Sequence, residues 1–68
     1  MLNDIPIGGY LKLSYANMSV IWYKKDICVF RRLAYEGTRL TSSILSKRIQ
    51  AEEEDIQYLL HQGFKKVP

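Results

Sequence analysis

The sequence predicts a small α+β domain, an N-terminal β-hairpin leading into a core of three helices. Three observations carry that expectation. In YLKLSY, residues 10–15, Leu11, Leu13 and Tyr15 alternate with Tyr10, Lys12 and Ser14, which is the period of a half-buried strand. From Asp26 the spacing lengthens, with Ile27, Phe30, Leu33 and Ala34 on one helical face and, near the end of the chain, Ile56, Leu59 and Leu60 on another. The length of 68 residues holds one domain, and a domain of that size buries only about 60% of the surface its unfolded chain exposes, which leaves little depth for an enzyme cleft.

Taken in order, residues 1–9, MLNDIPIGG, read as an extended lead-in broken by Pro6 and the pair Gly8-Gly9. The hairpin occupies 10–23. Its turn falls in Ala16–Ser19, and SVIWY supplies β-branched and aromatic residues for a second strand over Val20–Tyr23. A rival reading makes residues 19–36 one helix capped by Ser19, with Val20, Tyr23, Ile27, Phe30 and Ala34 on one face. The first helix of the preferred reading is Asp26–Glu36, stopped by Gly37; a strand there would put Arg31 on the same face as Val29 and Leu33. Thr41 is placed to cap a second helix over Ser42–Ile49, with Leu40 and Leu45 at the two positions of a hydrophobic staple. A third helix starts near Glu52, where acids favour the positive end of the helix dipole by about 0.3–1 kcal/mol each, and Gly63 ends it before Phe64.

Composition narrows the function classes. Apolar residues make up 47% and charged residues 25%, the balance of a folded chain. The net charge of +3 is unevenly spread. Residues 1–49 hold eight Lys or Arg against three acids, residues 50–62 hold four acids and no Lys or Arg, and Lys65 and Lys66 follow, so the expectation is a basic body with one acidic knob. Cys28 is the sole cysteine and lies in the apolar run ICVF, which reads as a core thiol in a reducing, cytoplasmic setting. No apolar run approaches the roughly 18 residues of a membrane span, and the first residues lack the layout of a signal peptide. Cys28 and His61 are the only residues resembling a nucleophile and base, and one of each cannot build a four-ligand zinc site. Gly8-Gly9 lacks the spacing of a phosphate loop. The chain is therefore expected to be no enzyme, to hold no cofactor or metal, and to bind neither a membrane nor a small-molecule substrate.

Residues 26–67 resemble a winged-helix or related helix-turn-helix domain with an incomplete wing. The match rests on a small residue at Ser46, a turn residue at Gln50 and a β-branched residue at Ile56, with Leu45, Ile49, Leu59 and Leu60 as packing. The resemblance implies a helix-turn-helix-like core and a small DNA-binding protein of transcription regulation. Arg31, Arg32, Arg39, Lys47, Arg48, Lys65 and Lys66 would then contact phosphates of duplex DNA.

The acids at the start of the third helix oppose that use, because they would face the groove between two phosphate walls. They favour a protein-binding regulator or inhibitor, in which Glu52, Glu53, Glu54 and Asp55, with Tyr58, meet a basic protein surface. Trp22, Tyr23 and Tyr35 are further candidate anchors for such a partner. A third expectation is single-stranded nucleic acid on the N-terminal part, where aromatics and lysines interleave in YLKLSY and IWYKK.

Overall fold

Val, Ile, Tyr, Trp and Phe crowd the stretch from Tyr10 to Tyr35, and such side chains suit a pleated, half-buried surface. In the computed structural model, which describes residues 2–67, that stretch is strand. A 3-10 turn at Leu2–Asp4 precedes four strands, β1 (Tyr10–Tyr15), β2 (Met18–Asp26), β3 (Val29–Glu36) and β4 (Arg39–Ser46). A single described α-helix, α1 (Ile49–His61), and a short strand β5 (Lys65–Val67) follow. All neighbouring strands are antiparallel, in the order β4-β3-β2-β1-β5. The first four form a meander; α1 then carries the chain back across the sheet, so that β5 pairs with β1 at the far edge.

Directly opposed residues of an antiparallel pair share a face. The registers Leu13↔Val20, Leu11↔Trp22 and Lys24↔Phe30 therefore collect Leu11, Leu13, Val20, Trp22 and Phe30 on one side. There they pack with Leu2 and Ile5 from the N-terminal turn, Ile56 from α1 and Phe64 from the turn after it. Trp22 is completely buried, and its Nε1 donates to Oε2 of Glu52 on α1, which is itself buried. Asp55, one residue before Ile56, accepts from Arg32 Nη1 at 2.9 Å. The helix thus sits on the sheet by an apolar stripe flanked by two polar fastenings.

The helix ends sharply for a local reason. Phe64 N donates to Leu59 O and Gly63 N to Leu60 O, and Gly63 has φ +104, which side chains rarely tolerate. The reversal aims Phe64 into the core beside Tyr15, ring centroids 5.8 Å apart, and starts β5.

The expected three-helix core is overturned. Asp26–Glu36, read as a first helix, is the end of β2, a turn and β3; Ser42–Ile49, read as a second, is mostly β4; and the rival helix over 19–36 is a hairpin. With one helix among the described residues and a five-stranded antiparallel sheet, the resemblance to a winged-helix or helix-turn-helix domain over 26–67 does not hold. The reason lies in which face meets water. Arg31 does share a strand face with Val29 and Leu33, but that face is not the core face, and Arg31 is exposed. Thr41 caps nothing: its hydroxyl donates to the Ala34 carbonyl across the strand pair at 3.0 Å. Leu40 and Leu45 staple nothing and are both exposed. Serines compete poorly in a helix interior, and in β4 Ser42, Ser43 and Ser46 pair with β3 instead. The remaining helix begins at Ile49 rather than near Glu52, behind Arg48, which makes no side-chain cap.

Candidate functional site

The second face of the sheet is the feature left over once the core is assembled. Its residues follow from the same registers: Tyr10↔Tyr23, Lys12↔Ile21 and Ser14↔Ser19 between β1 and β2, then Tyr23↔Arg31, Ile21↔Leu33 and Ser19↔Tyr35 between β2 and β3. Leu33↔Ser43 and Arg31↔Leu45 extend it onto β4, and Ser14↔Lys65 onto β5. Neither α1 nor the N-terminal turn lies on this side, since both contribute to the core cluster of the other.

The chemistry of this open face is consistent across its width. Three tyrosines, Tyr10, Tyr23 and Tyr35, lie among three cations, Lys12, Arg31 and Lys65, over a floor of Ile21 and Leu33. Tyr10 is 58% and Tyr23 38% exposed, and the two are directly opposed across β1 and β2. The acid that shares this register, Asp26, is at the end of β2 with Oδ1 accepting from the backbone N–H of Ile27 at 2.6 Å. Every other acid of the described chain belongs to the opposite face, to α1 or to a turn. Tyrosine rings beside cations, with the one acid at the margin, can stack on flat π-systems and hold phosphates at the same time.

The residues singled out from the sequence are spread over the molecule. Arg31 and Lys65 lie on the open face, Arg32 is paired with Asp55 on the helix side, and Lys66 shares the register of Leu13 on that side. Arg39 is held by Glu36 in an exposed ion pair of 2.8 Å across the β3–β4 turn. Lys47 and Arg48 are exposed in the link between β4 and α1. The seven cations thus do not form one patch. The acidic run is divided as well: Glu52 is buried under Trp22, Asp55 is paired, and Glu53 and Glu54 remain, lining a shallow hollow with Gln50 and Gln57. Tyr58 is exposed on α1 beside a groove between helix and sheet formed with Val20, Arg32, Ala34 and Leu59. Trp22 is wholly inside, so of the two aromatics in IWYKK only Tyr23 reaches the open face, and Lys24 lies over the Phe30 ring, 5.8 Å from its centroid.

Arg31, Leu33 and Tyr35 lie outside YLKLSY and IWYKK, the two stretches expected to hold a single strand. The signal that unites them is the alternation in VFRRLAYE, where Val29, Arg31, Leu33 and Tyr35 form one row and Phe30, Arg32 and Ala34 the other. Cys28, expected inside, is exposed in the β2–β3 turn. Among the described residues no group of three His, Cys, Asp or Glu is arranged to hold a metal ion, and no helix is long and apolar enough to cross a membrane.

Comparison with known proteins finds no family model, no curated protein and no solved structure that matches this chain. The functional reading therefore stands on the geometry of the sheet.

Proposed function

We propose that this chain is a binding module for single-stranded nucleic acid, without a catalytic step, and that it works through the open face of its sheet. The observation that carries the reading is the grouping of Tyr10, Tyr23 and Tyr35 with Lys12, Arg31 and Lys65 on a face whose one acid, Asp26, stands at its margin at the end of β2. Unpaired bases present flat surfaces to tyrosine rings, and a backbone running over the sheet meets the cations between them. Duplex DNA fits this face less well, because its bases are stacked inside and only its phosphates would be met. A protein partner on the acidic start of α1 has less to hold, since Glu52 is buried and Asp55 already paired. An exposed free thiol at Cys28 suits a reducing compartment, the cytoplasm in this reading.

The test is fluorescence anisotropy of a labelled oligothymidine and of a matched duplex, at about 50 mM and about 200 mM salt. With Lys12, Arg31 and Lys65 each neutralising one phosphate, the logarithmic salt slope is about −2, or roughly a twentyfold weakening between the two conditions. Tyr23→Ala removes a stacking surface worth about 1–3 kcal/mol per base, a rise in Kd of roughly 5- to 150-fold. The single strand is expected to bind more tightly than the duplex. Absence of binding at the lower salt, or binding indifferent to Tyr23→Ala, overturns the proposal.

A further inference from the structure

The two edges of the sheet differ in a way the binding face does not explain. At one edge, β5 is three residues long and carries Lys65 and Lys66. Short length and lysines are two of the devices that keep an edge from pairing with another chain. At the other edge, β4 is eight residues long. From Leu40 to Ser46 it reads LTSSILS, without a charge or a proline, and Leu40, Ile44 and Leu45 are all exposed. The bulge in its pairing with β3 is confined to its start, beside Tyr35. The segment Ser42–Ser46 is regular, and its outer backbone groups have no described partner strand.

We propose that β4 is a self-association edge: two copies of this chain pair antiparallel along Ser42–Ser46, about a twofold axis at Ile44, and join their sheets. With Ile44 opposite its own copy, Ser42 meets Ser46, Ser43 meets Leu45, and every contact repeats by the twofold. The flanking cations avoid one another, because Lys47 falls opposite Thr41 and Arg48 opposite Leu40. Ile44, 43% exposed in the protomer, gains an apolar cross-strand neighbour on the helix side. Another protein's strand could use the same edge, but a second copy brings the same uncharged stretch from Leu40 to Ser46 and, in this register, sets neither Lys47 nor Arg48 directly against a like charge. Joined in this way, the two open faces lie on the same side of one continuous sheet, and this geometry holds whether or not that face binds nucleic acid.

Sedimentation equilibrium of the full chain over a hundredfold range of concentration tests the proposal. The expected mass rises with concentration from 8.0 kDa toward twice that value. Ile44→Lys is expected to raise the dimer dissociation constant at least tenfold, while Ile44→Val and Tyr23→Ala leave it within a factor of about three. Circular dichroism checks that each variant is folded. Hydrogen exchange provides a reading on the wild type alone: backbone amides in Ser42–Ser46 gain protection with concentration, and those of β5 do not. A mass of one protomer throughout, a dimer that Ile44→Lys leaves intact, or protection gained at β5 instead of β4 overturns the proposal.

Discussion

Trp22 and Tyr23 are neighbours in β2 and serve opposite faces of the same sheet. Trp22 is sealed between sheet and helix with its indole N–H on Glu52, whereas Tyr23 stands opposite Tyr10 on a face with no helix over it. On the covered face, aromatic and aliphatic groups are buried and polar groups are fastened in pairs, Trp22 with Glu52 and Arg32 with Asp55. On the open face, the same kinds of side chain stand beside cations and remain available. In a sheet this small one face holds the core, and the other stays open to solvent, where the proposed ligand would lie.

Substitutions on either side of that division should behave differently, and the largest difference is expected at the neighbouring pair. Trp22→Ala removes a fully buried aromatic at a cost of about 3–5 kcal/mol and strands the Glu52 carboxyl in the core. Stability for a chain of this length is roughly 3–10 kcal/mol, so the variant is expected to be largely unfolded by circular dichroism, while Tyr23→Ala keeps a cooperative thermal transition near that of the wild type. Equal losses of Tm at the two positions would break the comparison. Glu52→Ala comes next: it leaves the Trp22 N–H buried without an acceptor, at about 1–3 kcal/mol, whereas Glu54→Ala on the outer side of the same helix should stay within about 0.5 kcal/mol in a urea titration. The smallest effect belongs to Asp55→Asn. The Arg32–Asp55 pair is only part-buried, and its loss should cost no more than about 1 kcal/mol, with a matching loss in a double-mutant cycle with Arg32→Ala.

How much of this was legible in the sequence depends on the element. The alternation in YLKLSY corresponds to β1, and Gly63 does stand where α1 stops, because in both places a local period or a backbone requirement leaves little choice. The segment Asp26–Glu36 was misread because Ile27, Phe30, Leu33 and Ala34 suit a helix as well as they suit the two rows of a strand, and the arbitrating residue, Arg31, counts against a strand only if its face is buried. That it faces solvent is a property of the whole sheet. Thr41 and Leu40–Leu45 gave a false helix start for a related reason: the pairing of β4 with β3, a long-range interaction, overrode a local capping pattern. For the acidic run, its helical setting was readable, but not that Glu52 turns inward to Trp22, a contact across thirty positions of chain. The open face was visible only in part, as Tyr10, Lys12 and Tyr23, since joining them to Arg31 and Tyr35 needs the strand order.

In the proposed function one face of the sheet binds and the other does not. The most direct measurement is to titrate the isotopically labelled protein with unlabelled oligothymidine at low salt and follow its backbone and tyrosine resonances by NMR. Shifts are expected to concentrate at Tyr10, Lys12, Ile21, Tyr23, Arg31 and Tyr35, with Glu53, Glu54 and Gln57 on α1 unmoved. Shifts confined to α1 or to the Lys47–Arg48 link, with the open face silent, would contradict the proposal.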